Sequence, residues 1–120
     1  MRRTGYIHLY GLNLVFDRVG QGPAVVLLAE EASRWPQALP PGFTFYLLDL
    51  PGFGRTGGPP LTPEELAEYV AGFLVMLNLG APPLLVRGVG ERVGAVLAER
   101  GYRVFSGLDL SEALLKGAFP

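Results

Sequence analysis

Apolar residues in this chain form two patterns, short continuous runs and longer stretches with helical spacing. Short runs at residues 24–29, 43–50, 84–86 and 102–105 are rich in aliphatic and aromatic residues. Such runs are typical of strands that are buried on both faces of a sheet. Two β-rich runs flank Gly11 near the start of the chain, and they predict an antiparallel hairpin.

The best-defined helix begins at Pro63. Thr62 can cap its first turn, proline suits the first helical position, and Glu65 completes a capping box. The apolar residues that follow fall on one helical stripe. They are Leu66, Val70, Phe73, Leu74 and Leu77.

A helical turn or short helix is predicted over residues 33–39, and helices are predicted over residues 91–100 and 109–116, the last of them capped by Asp109. Strands that alternate with helices imply parallel pairing and right-handed crossovers. The prediction is therefore an α/β fold in three layers, α/β/α, with a mostly parallel sheet of about six strands and an N-terminal hairpin. A length of 120 residues predicts a single domain over residues 1–120.

Composition excludes several kinds of function. Ten basic and eleven acidic residues give a net charge of −1, so we expect no nucleic-acid partner. The chain has no cysteine and one histidine, His8, and we predict neither a metal site nor a cofactor. It has no apolar run of about 20 residues and no signal-peptide pattern, so we expect no membrane association and a cytoplasmic location. The excess of arginine over lysine indicates a thermophilic or a GC-rich source.

Several segments match one family in sequence order. Residues 20–28 form a glycine-rich turn into a strand, and residues 49–56 read DLPGFGRT, similar to the pattern D-x-P-G-x-G-x-S. Residues 61–67 begin the helix that follows, and residues 84–98 occupy the place of a nucleophile elbow and its helix. Together they resemble the first half of an α/β-hydrolase. The resemblance implies the strand order 1-2-4-3-5-6 and a chain without the lid and the C-terminal half.

The resemblance also implies catalytic positions, which this sequence has changed. The elbow motif G-x-S-x-G is here VRGVG at residues 86–90, and Gly88 stands where the serine is expected. After the third strand, Glu30 introduces a negative charge where an oxyanion must be stabilised. A Ser-His-Asp triad is therefore missing from the chain, and we predict no catalytic residue. The candidate ligand-binding residues are Ala29, Glu30, Arg87, Gly88, Val89 and Gly90.

Three functions remain open. The first is a non-catalytic pseudo-hydrolase that binds a small ligand or another protein. The second is a residual esterase-like hydrolase with an unconventional site. The third is a dinucleotide- or anion-binding domain at residues 88–94, where three glycines follow a strand and open a helix. These glycines are also explained by close packing of the helix on the sheet.

Two contacts are expected from this topology. Glu30 and Arg87 should meet at the carboxyl ends of the central strands, either as recognition groups or as a salt bridge that covers the vacated site. The strand near Tyr102 and Phe105 should be an open sheet edge, unless the last helix covers it. We therefore expect a homodimer through this edge with two-fold symmetry.

Overall fold

A six-stranded sheet forms the centre of the protein, in a computed structural model that describes residues 2–106. The helix predicted over residues 109–116 lies outside the described residues. The strands and helices are β1 (Arg3–Leu9), β2 (Leu12–Gly20), β3 (Ala24–Leu28), β4 (Thr44–Leu48), α1 (Pro63–Met76), β5 (Leu84–Val86), α2 (Gly90–Glu99) and β6 (Val104–Ser106).

The strand order is β1-β2-β4-β3-β5-β6, which confirms the predicted order. β2 pairs antiparallel with both β1 and β4, and β4, β3, β5 and β6 pair with one another in parallel. After β3 the chain crosses to β4 on one side, and after β4 it returns to β5 on the other side. The carboxyl ends of β3 and β5 therefore form the topological switch point, where open α/β sheets bind ligands.

Helix α1 begins with the predicted capping box. The backbone N–H of Glu65 donates to Thr62 Oγ1 over 3.1 Å, and the Glu65 carboxylate accepts from the Thr62 N–H over 3.0 Å. The predicted stripe faces the core, although Leu77 caps the helix and is only half-buried. Phe73 at its centre packs edge-on against the rings of Phe16 and Tyr46, which attaches the helix to β2 and β4.

Helix α2 lies very close to the sheet because of two glycines. A methyl group at Gly90 would collide with the carbonyl oxygen of Leu28, so a side chain there would separate the helix from β3. A methyl group at Gly94 would lie 2.9 Å from side-chain atoms of Val86 and Val104. These contacts support the packing explanation of the glycines in residues 88–94.

Of the helical turn or short helix predicted over residues 33–39, the structure has the turn and not the helix. Only a 3₁₀ turn forms, at Ala32–Arg34, and Trp35 already has extended backbone, with φ −100° and ψ 154°. A residue that precedes proline is disfavoured in the helical region, and Pro36 follows Trp35 directly. Trp35 is instead buried, packed with residues of β3, β4 and β5.

Candidate functional site

The turn between β5 and α2, residues 86–90, keeps the geometry of an elbow; we call it the elbow. Gly88 has a φ of +58°, in the left-handed region that side chains disfavour. The turn is closed by the N–H of Gly90, which donates to the carbonyl oxygen of Arg87 over 3.0 Å. The backbone N–H of Arg87 donates to the carbonyl oxygen of Leu28, also over 3.0 Å, and this bond joins the elbow to β3.

The carboxylate of Glu30 fills the space above Gly88. A Cβ atom built at position 88 would lie 2.5 Å from Oε1 and 2.8 Å from Oε2 of Glu30. Glu30 Oε2 also accepts a hydrogen bond from the backbone N–H of Val89 over 3.3 Å. In the elbow geometry this N–H, directly after the nucleophile position, is one of the two donors that stabilise an oxyanion. The Glu30 carboxylate therefore fills the space expected for the nucleophile and also accepts a hydrogen bond from one of the oxyanion donors.

Arg87 turns away from Glu30. Its guanidinium carbon lies 4.1 Å from the ring centroid of Trp35, a cation–π contact. Among residues 2–106, Glu30 and Arg87 form no ion pair, so the interpretation of these two residues as a salt bridge is wrong. Ala29 is fully buried in the same cluster as Trp35.

The loop over residues 51–60 is anchored by Asp49, which is 2% exposed. Its Oδ2 accepts from both the backbone N–H and the Nε of Arg55 over 2.8 Å, and its Oδ1 accepts from the Ala32 N–H over 2.8 Å. Burial alone would raise the pKa of Asp49, but the hydrogen bonds from Arg55 and Ala32 and the charge of Arg55 together hold it below its ordinary value. The hydrogen bond to Asp49 in turn raises the pKa of Arg55, against the effect of burial.

The same arginine joins the loop to the hairpin. Arg55 Nη1 donates to Asp17 Oδ1 over 2.9 Å, and Asp17 also accepts from the Thr4 hydroxyl over 2.8 Å. Asp17 is 8% exposed, and its ion pair with Arg55 offsets the cost of burying the carboxylate. Charged groups thus fix the loop to β1, β2 and β4, in addition to the packing of Phe53 against the main core.

A mainly apolar cavity of about 350 Å³ lies beside the elbow, between the loop, the start of α1 and the start of α2. We call it the elbow pocket, lined by Gly52, Phe53, Pro60, Leu61, Pro63, Leu66, Val89 and Arg92. Arg92 is the only charged side chain among these lining residues. Its guanidinium has no ion pair or side-chain hydrogen bond within residues 2–106.

His8 lies on the edge strand β1, where its Nδ1 is 2.9 Å from Asn13 Oδ1. Within residues 2–106, no group of three or more metal-ligating side chains could hold a metal ion. Neither helix in that part of the chain has the length and apolar character needed to cross a bilayer.

No family model and no curated protein matches the chain. Solved structures do match. The chain is 60% identical to TT1977, with a TM-score of 0.91 over 99% of this chain and 100% of that chain. A hydrolase from Pseudomonas aeruginosa matches with 24% identity and a TM-score of 0.76, over 84% of this chain and 43% of that chain.

An epoxide hydrolase from Vigna radiata is 20% identical with a TM-score of 0.70, over 86% of this chain and 36% of that chain. The chain therefore has the α/β-hydrolase fold. It spans about two fifths of the length of these two hydrolases and the whole of TT1977.

The sequence indicated part of this site and missed the rest. Glu30, Gly88, Val89 and Gly90 come together at the elbow, whereas Ala29 and Arg87 pack towards Trp35. The apolar lining of the elbow pocket was not predicted. The motif at residues 49–56 marked the loop, but only the packing of α1 beside α2 places that loop next to the elbow.

Proposed function

We propose that this protein is a non-catalytic α/β-hydrolase that binds a small ligand in the elbow pocket. The observation that carries the proposal is the position of the Glu30 carboxylate, above Gly88 and on the N–H of Val89. A substrate oxygen would have to displace this carboxylate, and the negative charge would oppose an oxyanion forming beside it. The elbow pocket next to it is open and has the size of a small-ligand site.

One observation favours the alternative of a residual hydrolase. A carboxylate can act as a nucleophile, and Glu30 reaches the place where the family's nucleophile is expected. Hydrolysis of the resulting ester would still need a base to activate water. The one histidine of the chain, His8, lies on the edge strand β1 and is hydrogen-bonded to Asn13 of β2. Three strands separate β1 from β5, so His8 is far from the elbow.

Catalysis can be tested with an activated ester, 4-nitrophenyl acetate, and with a simple epoxide, styrene oxide. We expect the wild-type protein and its Glu30→Gln variant to show the same background rate. Turnover that is lost in Glu30→Gln but retained after replacement of Ser33, Ser106 and Ser111 by alanine would establish an unconventional enzyme instead.

Binding provides the positive test. We expect saturable fluorescence enhancement with the neutral apolar probe N-phenyl-1-naphthylamine, and loss of this binding in Leu61→Trp, where the larger side chain fills the elbow pocket.

The dinucleotide alternative makes a different prediction. A rise in melting temperature with NAD, NADP or phosphate that Gly88→Val abolishes would favour that function.

A further inference from the structure

We propose that the ligand of the elbow pocket is a small molecule with an apolar body and one anionic group, bound by Arg92. This inference rests on the proposed function and specifies the chemical class of the ligand. A carboxylate, a sulfonate and a phosphate share the required chemistry, namely a negatively charged group with several oxygen acceptors.

The apolar body follows from the walls of the elbow pocket. Phe53 and Leu61 belong to the loop and the approach to α1, Leu66 to α1 itself, and Val89 to the elbow. Phe53, Leu61 and Val89 are partly buried and pack against the main core, so the pocket is continuous with it. A cavity of about 350 Å³ is at the lower end of the range for ligand sites, which favours a small compact body.

The anionic group follows from the arrangement of charges. Arg92 lies in the first turn of α2, where its side chain is exposed and lines the mouth of the pocket without an ion pair or side-chain hydrogen bond among residues 2–106. The two charged side chains of the elbow region, Glu30 and Arg87, do not line the pocket, because Glu30 accepts from the N–H of Val89 and Arg87 covers the ring of Trp35. A guanidinium beside an apolar cavity suits an anionic group with two adjacent oxygen atoms, because it can donate two parallel hydrogen bonds.

The walls of the pocket are held in place before any ligand binds. Asp49 and Arg55 fix the loop that contributes Gly52 and Phe53. The capping box of Thr62 and Glu65 fixes the turn that contributes Pro63. A preformed site loses little conformational entropy on binding, so a single charge-assisted contact can determine the preference for ligand charge.

Two probes with one skeleton test the inference. N-phenyl-1-naphthylamine is neutral, and 8-anilinonaphthalene-1-sulfonate adds one sulfonate to the same ring system. In fluorescence titrations of the full chain, we expect the sulfonate to bind about ten-fold more tightly than the neutral probe, as one charge-assisted hydrogen bond would give. Arg92→Gln should remove this difference. Arg18→Gln, which removes an exposed arginine of β2, should leave it unchanged.

Competition tests the same inference without a substitution. Hexanoate should displace the bound sulfonate probe, whereas hexanamide, of nearly the same shape and neutral, should not. Equal affinity for the two probes would overturn the inference and leave the proposed binding function standing. Failure of both probes to bind, or binding that Leu61→Trp and hexanoate leave unchanged, would overturn both proposals.

Discussion

At the scale of single residues, Glu30 and Gly88 share one volume at the elbow. The carboxylate lies where a side chain at position 88 would begin, and it bonds the N–H of Val89. Gly88 also has a φ of +58°, which costs an ordinary residue about 1 kcal/mol or more. Two separate effects therefore oppose a side chain at position 88, the local backbone and the neighbouring carboxylate, and only the second depends on Glu30.

These two effects can be separated by a double-mutant cycle. Gly88→Ser should lower the free energy of unfolding, and the loss should be about 1 kcal/mol smaller when Glu30→Ala has already removed the carboxylate. Denaturant unfolding of the four proteins measures the coupling. Glu31→Ala provides the control, because Glu31 bonds the Ser33 hydroxyl and not the elbow. Equal losses in both backgrounds would show that Glu30 does not fill the elbow in solution.

At the scale of elements, the loop over residues 51–60 is the part of the site that depends on charge. Asp49 directly follows β4, and its carboxylate accepts hydrogen bonds from both the backbone N–H and the guanidinium of Arg55. The hydrogen bonds and the charge of Arg55 hold the pKa of Asp49 below its ordinary value. A carboxyl group whose pKa is lowered on folding stabilises the fold above its unfolded pKa, and this contribution disappears as the pH falls through the folded value.

Asp49→Asn should therefore lower the free energy of unfolding by roughly 2 kcal/mol at pH 7, because buried donors lose a charged acceptor. The difference from the wild type should shrink as the pH falls below about 4, the ordinary value for aspartate. Urea unfolding from pH 7 to pH 2.5 measures both effects. Glu68→Gln removes an exposed ion pair with Arg100 and should change stability little at any pH. A difference that is constant with pH would contradict the assignment.

At the scale of the whole molecule, the sheet has two outer strands of different character. β1 is seven residues long, with the exposed side chain of Tyr6. β6 is three residues long and is the last strand of the described sheet, with Val104 and Phe105 partly buried. A strand with one unpaired edge is a template for pairing with a second chain. The homodimer through residues 102–105 stays a prediction.

Light scattering during gel filtration tests the dimer. We expect twice the chain mass at high protein concentration and about ten-fold weaker association in Phe105→Lys, a loss of roughly 1.4 kcal/mol. Tyr6→Lys, on the opposite edge, should leave the association unchanged. A monomer at every concentration tested would contradict pairing through β6, and a dimer that only Tyr6→Lys weakens would assign the interface to β1.

The sequence by itself determined the elements and, with the resemblance, their order in the sheet. Short continuous apolar runs rich in β-branched and aromatic residues favour buried strands. The capping box marks the start of α1 through contacts within three residues. Only the tertiary structure decided the chemistry of the elbow. Glu30 and the N–H of Val89 are 59 positions apart, so their contact depends on how β3 and β5 pair. The tertiary structure also decided that Arg87 contacts Trp35 whereas Arg92 lines the elbow pocket, because the two side chains extend in different directions from the elbow and α2.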